Sequence, residues 1–143
     1  MQTFRTEAYL TDPVSRHLRR RRFRDLFLQA PFYEYPIDIF GFSQFDDLCI
    51  AVELKLARWE RAFEQALIYQ LCADYAFVAM PKQAFEQIPL ARFEEHGIGL
   101  ISVSGAGCNV IIPAQRSSVV QEFYRTNLIQ LLQEQSCRTP APS

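Results

Sequence analysis

Two neighbouring segments of the chain have the alternation of side chains that is typical of β-strands. Residues 32–42 are rich in aromatic and β-branched side chains, and residues 48–56 alternate between large apolar side chains and small or charged ones. Because successive side chains of a strand point to opposite faces, Ile50 shares one face with the other large apolar residues, whereas Glu53 and Lys55 lie on the other face. Charges on a half-buried face cost stability unless they are paired or bind a metal. The pattern therefore indicates a functional site.

The remaining pattern predicts the other elements of the fold. Asp12 and Pro13 are typical of a helix start, although a start as early as residue 6 also fits. The predicted elements are, in order, a helix to about residue 22, strands over 23–29, 32–42 and 48–56, a helix over 58–72, a strand over 75–80, helical turns over 82–95 interrupted at Pro89, strands over 98–103 and 109–112, and a helix over 117–134 with Phe123, Leu128 and Leu131 buried. This α-β-β-β-α-β-α-β-β-α order predicts an α/β fold, with a mixed α+β sheet flanked by helices. We expect one domain over residues 1–135 and a disordered tail over 136–143.

The first two of these strand-like segments bring two acidic residues together. The polar stretch between them predicts a hairpin, and if Phe42 pairs with Cys49, then Asp38 stands opposite Glu53. Opposed residues of an antiparallel pair share a face, and two carboxylates there repel each other unless a proton or a cation lies between them. Mg²⁺ is commonly held by one or two carboxylates together with water. The alternative is an ordinary surface pair of Lys55 with one of the acids on a solvated face.

The order of these residues resembles the PD-(D/E)XK nuclease superfamily. Asp38 is followed fifteen residues later by Glu-x-Lys at Glu53 and Lys55, and the next helix has the Gln-x-x-x-Tyr spacing of RecB-like members at Gln65 and Tyr69. The resemblance covers about residues 5–112 and implies the restriction-endonuclease-like fold. Two departures are that isoleucine replaces the proline before the aspartate and that the first helix has no evident histidine ligand of the RecB type.

The resemblance implies a role for each residue at the site. Mg²⁺ or Mn²⁺ would be held by Asp38, Glu53 and the carbonyl of Leu54. Lys55 would position the attacking water or stabilise the developing negative charge, and Gln65 would orient a ligand or the nucleophile. These four side chains, Asp38, Glu53, Lys55 and Gln65, are the predicted catalytic residues.

Three of the assignments have alternatives that the sequence leaves open. The first-helix acid of many relatives would be Glu7, which could equally be a charge that interacts favourably with the helix macrodipole. Gln65 and Tyr69 stand one turn apart on a helix and can address the same place. As alternatives, Gln65 is a solvated amide and Tyr69 a half-buried helix aromatic.

Charge is distributed unevenly along the chain. The formal net charge is −1, yet a short stretch at the end of the first helix holds a cluster of arginines. The cluster comprises Arg16, Arg19, Arg20, Arg21, Arg22 and Arg24. Such a basic patch on an acidic protein suits phosphate contacts that carry no sequence information, although arginines also stabilise a helix C-terminus. The predicted nucleic-acid contacts are Arg16, Arg19, Arg20, Arg22 and Tyr69.

Other chemistries find little support in the sequence. The four cysteines are scattered without zinc-ligand spacing, His17 and His96 are isolated, and nucleotide-binding glycine motifs are missing. There is no signal-peptide pattern and no apolar run of membrane-spanning length. We therefore expect a cytoplasmic protein with no membrane partner.

Taken together, these features predict a metal-dependent nuclease that hydrolyses phosphodiester bonds in DNA, with Mg²⁺ or Mn²⁺ as its cofactor. The alternative is a catalytically silent nuclease-fold module that binds nucleic acid or a protein partner. Enzymes of this size that cut both strands usually act as dimers, so a homodimer is possible.

Overall fold

The computed structural model describes residues 6–138, and the helices and strands follow the predicted order. The elements are α1 (Ala8–Arg20), β1 (Asp25–Ala30), β2 (Ile37–Ser43), β3 (Leu48–Leu54), α2 (Trp59–Tyr69), β4 (Tyr75–Pro81), a 3₁₀ helix (Lys82–Gln87), α3 (Leu90–His96), β5 (Gly99–Ser104), β6 (Gly107–Ile112) and α4 (Glu122–Arg138). The predicted α/β class, a mixed sheet flanked by helices, is confirmed. None of the helices within residues 6–138 combines the length and the apolar composition that a membrane-spanning helix requires.

The six strands form one sheet in which they lie in chain order. Strands β1, β2 and β3 are antiparallel, β3, β4 and β5 are parallel, and β6 is antiparallel to β5. The parallel pairs arise because α2 and α3 carry the chain back between the strands, whereas short turns suffice for antiparallel pairs. The three parallel strands therefore end at one edge of the sheet, at Leu54, Pro81 and Ser104, which we call the carboxyl edge.

Helices cover both faces of the sheet, and each face has its own apolar core. On one face, α1 packs Leu10, Val14 and Leu18 against side chains of β2 and β3. Helices α2, α3 and α4 contribute to the core on the other face, which buries Phe40, Phe42, Cys49, Ala51, Phe63, Ala66, Tyr69, Phe93, Leu128 and Leu132. The alternation in β3 is as predicted, because its large apolar residues face α1 and its small residues face α2.

The predicted register of the hairpin is also confirmed. Phe42 pairs with Cys49 and Ile39 with Val52. The same register continued by one residue places Asp38 opposite Glu53. The two carboxylates therefore share the face that α2 covers, close to the carboxyl edge.

The predicted start of the first helix at Asp12 and Pro13 is wrong, and the earlier start is correct. Helix α1 begins at Ala8 and contains Pro13. A proline inside a helix removes one backbone hydrogen bond and costs about 3 kcal/mol. Burial of Val14, which is 0% exposed directly after the proline, helps to offset that cost.

The end of the chain departs from prediction in two ways. Phe123, which was expected to be buried, is 76% exposed, whereas Leu128 is buried as predicted and Leu132 is buried as well. Leu131 is only partly buried. Helix α4 continues to Arg138, so the first residues of the predicted disordered tail are helical, and residues 139–143 lie outside the described part of the chain.

A buried ion pair that was not predicted from the sequence holds α4 against the edge opposite the carboxyl edge. Asp74, 4% exposed, accepts hydrogen bonds from the Cys49 backbone N–H at 2.7 Å and from Arg125 Nε at 3.2 Å. The same arginine donates to the Asp47 carbonyl at 2.6 Å. We call Asp74, Arg125 and the Cys49 amide the Asp74 cluster.

Candidate active site

The two predicted carboxylates meet where β2 and β3 pair near the carboxyl edge. Glu53 is 4% exposed, whereas Asp38 is half-buried. The backbone N–H of Leu54 donates a hydrogen bond of 2.8 Å to Asp38 Oδ2, which fixes that side chain beside β3. We call Asp38, Glu53, Lys55 and Tyr69 the Glu53 site.

The environment of Glu53 disfavours its charge. Burial and, after it, the negative charge of Asp38 raise the pKa of Glu53 to about 8, although the Tyr69 hydrogen bond and the charge of Lys55 act in the opposite direction. At neutral pH the carboxyl therefore retains a proton unless a cation takes the place of that proton. The sequence analysis expected that two opposed carboxylates would need a proton or a cation between them, and the raised pKa of Glu53 agrees with that expectation.

Tyr69 lies at the bottom of the site. Its hydroxyl is 3.0 Å from Glu53 Oε1 and 3.0 Å from the Pro36 carbonyl oxygen, and the residue is 0% exposed. The predicted contact of Tyr69 with nucleic acid is therefore wrong, because the residue is enclosed by the core. Tyr69 instead acts on Glu53, since its hydroxyl donates to Oε1 when the carboxylate is ionised.

Lys55 directly follows β3 and remains half-buried. Its backbone N–H donates to the Ala79 carbonyl at 3.1 Å, which extends the parallel ladder past the end of the strand. Within residues 6–138 its ammonium group forms no ion pair within 4.0 Å, so its charge remains available to a ligand. Its position beside Glu53 agrees with the sequence expectation.

Gln65 has a buried oxygen without a partner. Its Oε1 accepts no hydrogen bond from the described residues, which excludes the alternative of a solvated amide at that atom. Gln65 lies one turn before Tyr69 on α2, so the two side chains project from the same side of the helix. Buried acceptors are almost always satisfied in folded proteins, and an exception calls for a ligand, a water or an ion.

Gln29 is a site residue that the sequence did not reveal. Its Nε2 donates a hydrogen bond of 3.1 Å to Asp38 Oδ1, and its φ of 55° lies in the left-handed region. The β1–β2 register places it opposite Asp38, so three side chains, Gln29, Asp38 and Glu53, lie in a row across three strands. From the sequence, Gln29 could have been found only by extending the predicted pairing from β2 and β3 to β1 and β2.

Glu7, the predicted first-helix metal ligand, is not brought into this site. No group of three His, Cys, Asp or Glu side chains that could hold a metal ion forms among residues 6–138. Glu7 occupies the N-cap position of α1, on the opposite face of the sheet, and its side chain makes no capping hydrogen bond. Its location agrees with the alternative of a charge near the positive helix pole.

The arginine cluster is exposed, but the fold divides it. Arg16 and Arg20 face the turn between β5 and β6, whereas Arg22 lies beside the β2–β3 loop, with its guanidinium 5.4 Å from the centre of the Phe45 ring. Arg19 is exposed on α1. All four predicted phosphate contacts are therefore accessible, but they lie on the side of the sheet away from α2.

Comparison with known proteins shows that the fold occurs elsewhere and does not indicate a function. The chain resembles a solved structure of a protein of unknown function from Silicibacter pomeroyi, with a TM-score of 0.73 and 19% identity over 96% of this chain and 90% of the other. Neither a protein-family profile nor a curated protein matches the sequence. The fold is therefore shared with a natural protein, and the chemistry must be argued from the site.

The side chains present fit a small divalent cation. Asp38 and Glu53 supply two adjacent carboxylates, and Mg²⁺ requires no more than one or two in addition to waters and substrate phosphates. Burial and the neighbouring Asp38 raise the pKa of Glu53, so its charged form lacks compensation there. A bound cation would replace the proton and supply that compensation.

Proposed function

We propose that this protein is a metal-dependent nuclease that hydrolyses phosphodiester bonds in DNA, a member of the PD-(D/E)XK superfamily. The observation that carries the proposal is a buried acid, Glu53, placed against Asp38 with the uncommitted Lys55 next to it. A fold gains nothing in stability from two opposed carboxylates. Perturbed acids of this kind are typical of functional sites.

In the proposed mechanism each residue has a role that follows from its contacts. Asp38, Glu53 and the carbonyl of Leu54 would hold Mg²⁺ or Mn²⁺, which when bound polarises the phosphate and lowers the pKa of water. Hydrogen bonds from Gln29 and from the Leu54 amide keep Asp38 oriented. Lys55 places a positive charge where negative charge accumulates on the phosphate oxygens.

Gln65 and Tyr69 complete the proposed arrangement. The free Oε1 of Gln65 can accept a hydrogen bond from the attacking water and so orient it. Tyr69 donates to the ionised form of Glu53 and thereby stabilises the charged carboxylate that binds the cation. A reducing, cytoplasmic compartment suits Cys49, Cys72 and Cys108, which are free thiols.

The experiment is a plasmid-nicking assay with Mg²⁺ or Mn²⁺, repeated with a chelator and with Lys55→Ala. The matched control is Lys82→Ala, because Lys82 is the only other lysine of the chain and is exposed on the 3₁₀ helix. We expect nicking that the chelator abolishes, that Lys55→Ala reduces about 100-fold or more, and that Lys82→Ala leaves unchanged. Intact plasmid with both metals would contradict the proposal.

One observation favours a second candidate, a catalytically silent module that binds nucleic acid or a protein. Within residues 6–138 the site has two carboxylates and no third acidic, histidine or cysteine ligand. A crystal soaked in Mn²⁺ distinguishes the candidates. Anomalous density between Asp38 and Glu53 supports the nuclease, and its absence, together with intact plasmid, supports the module.

A further inference from the structure

The side of the sheet that carries α1 has a groove that none of the proposed catalytic residues explains. Arg16 and Arg20 of α1 form one wall, and the turn Ser104–Gly107 between β5 and β6 forms the other. Tyr9 and Asp12 line it toward the start of the helix, and its volume is about 360 Å³. A groove of this size accommodates a phosphate group with its flanking sugars.

Arg16 and Arg20 bring two positive charges to the groove, against the one negative charge of Asp12. Both are exposed, and within residues 6–138 neither forms an ion pair within 4.0 Å. They stand one turn apart on α1, where like charges repel and weaken the helix. Both charges also lower the pKa of the Cys108 thiol against the larger, opposite effect of burial, so their field reaches the strand after the turn.

The turn itself presents unobstructed backbone. Gly105 and Ala106 are exposed, and Gly107 has a φ of 122° with no atom within 4 Å of the place where a Cβ would lie. The hydroxyl of Ser104 accepts a hydrogen bond from the Ala106 N–H at 3.3 Å, which holds the turn in shape. A phosphate can therefore approach the backbone here without meeting a side chain.

The groove and the Glu53 site lie toward the same edge of the sheet but on opposite faces, so a DNA strand that contacts both passes over that edge. Ser104 ends β5 at the carboxyl edge, and β5 is two strands from β3, which carries Glu53. The register places Glu53 level with Val78 and Leu100, so Ser104 lies four residues farther along the strand direction. With a rise of about 3.3 Å per residue and two strand spacings of about 4.8 Å, the turn is roughly 16 Å from Glu53. A DNA strand rises about 3.4 Å per nucleotide, so that separation corresponds to about five nucleotides.

We propose that Arg16, Arg20 and the Ser104–Gly107 turn form a second phosphate-binding site, which holds the DNA backbone about five nucleotides from the bond that is cut. The inference rests on the proposed nuclease function for its substrate. Of the arginine cluster, only Arg16 and Arg20 would then contribute to the affinity for DNA at this site. Arg22 and Arg24 lie at the other end of the sheet, around the loop that contains Gln44 and Phe45, and are too far from the carboxyl edge to contact the same stretch of backbone.

The experiment measures binding rather than cleavage. A fluorescently labelled 20-base-pair duplex of arbitrary sequence is titrated with the wild-type protein in EDTA, at several salt concentrations. The test variant is Arg16→Gln/Arg20→Gln, and the matched control is Arg22→Gln/Arg24→Gln, which removes the same charge from equally exposed positions. Ala106→Glu places a negative charge on the turn without touching either arginine.

Loss of two phosphate contacts is expected to reduce the slope of log affinity against log salt by about 1.8, which is about 0.9 for each phosphate. Arg16→Gln/Arg20→Gln should show this reduction and Ala106→Glu a weaker affinity, while Arg22→Gln/Arg24→Gln keeps the wild-type slope. Circular dichroism checks that each variant is folded. Equal slopes for both double variants, or no binding of the duplex by the wild-type protein, would overturn the inference.

The two proposals fail in different ways. If the wild-type protein binds the duplex with the expected slopes but never nicks DNA, the phosphate-binding groove stands and the nuclease function does not. If the protein nicks DNA and Arg16→Gln/Arg20→Gln binds the duplex like the wild type, the nuclease stands and the groove does not.

Discussion

The molecule contains two buried acids whose surroundings differ in one respect. Asp74, in the Asp74 cluster, receives hydrogen bonds from an arginine and from a backbone amide. Glu53, at the other end of the same sheet, faces a second carboxylate and a tyrosine hydroxyl. A buried acid that is paired with a cation can hold elements of the fold together, whereas a buried acid without such a pair does not stabilise the folded state. The difference indicates that Asp74 is structural, and it is one reason why we propose that Glu53 binds a cation.

The largest expected effect at neutral pH comes from removing the cation of the Asp74 cluster. Arg125→Ala leaves the buried Asp74 with the Cys49 amide and the exposed Arg116, whose guanidinium is 3.7 Å away, and it removes the only buried cation among residues 6–138 that contacts Asp74. We expect it to lower the free energy of unfolding by about 3 kcal/mol. Urea unfolding at pH 7 measures the change, with the exposed Arg61→Ala as the control. A loss below about 1 kcal/mol would remove the contrast between the two acids.

Removing the charge of Glu53 is expected to act in the opposite direction. The native pKa of about 8 exceeds the ordinary value of 4.5, so the folded protein holds a proton that the unfolded chain releases between those pH values. Wild-type stability therefore falls as the pH rises from 5 to 9. Glu53→Gln cannot titrate, so it should match the wild type at pH 5 and exceed it by about 4 kcal/mol at pH 9.

Thermal and urea unfolding across that pH range test the sign. The exposed Glu64→Gln, on the same side of the sheet, is the control and should follow the wild-type curve. If the stability of the wild type and of Glu64→Gln rises from pH 5 to pH 9, and that of Glu53→Gln does not, then Glu53 is stabilised as the anion and the expected sign is wrong.

A divalent cation should stabilise the protein through the Glu53 site and not through the Asp74 cluster. At a Mn²⁺ concentration of 100 times Kd, the stabilisation is about 2.7 kcal/mol. Asp38→Asn and Glu53→Gln should abolish it, and Glu64→Gln should not. Calorimetry at pH 7 in two buffers should also detect a proton released on binding, because the cation displaces the proton of Glu53. Stabilisation that persists in Glu53→Gln would place the metal elsewhere.

The smallest effect concerns Gln29, which touches the site only through Asp38. Gln29→Ala is expected to weaken Mn²⁺ binding about tenfold, as loss of a hydrogen bond to a metal ligand usually does. Gln29→Gly should lose the same affinity while it relieves the left-handed backbone at that position. The control is Gln44→Ala on the exposed β2–β3 loop. Unchanged Mn²⁺ affinity in both Gln29 variants would show that Asp38 needs no support from β1.

Much of the fold was predictable because it rests on local pattern. Alternation in β3 and the short polar loop before it were enough to give the register that opposes Asp38 and Glu53. The helix start failed at Pro13, because burial of α1 against the sheet outweighed the local preference of proline. The prediction that Phe123 is buried was wrong because the helical pattern of α4 contains two adjoining rows of apolar side chains. The pattern alone does not show which row contacts the sheet.

The parts of the site that escaped prediction depend on contacts that no short motif encodes. Gln29 reaches Asp38 from a neighbouring strand, and the burial of Tyr69 depends on the whole core beneath α2. Glu7 was placed by resemblance alone, and its helix packs against the other face. The nuclease function itself stays a prediction.

The short connection between β2 and β3 also bears on how the protein folds. Asp38 and Glu53 are fifteen residues apart in the chain, whereas Asp74 and Arg125 are separated by 51. Closing the longer loop costs about 1 kcal/mol more chain entropy, and it must await the arrival of the last helix. The acidic pair can therefore form while the C-terminal part of the chain is still unfolded. On the ribosome, the pairing of Asp38 with Glu53 can precede the ion pair of Asp74 with Arg125.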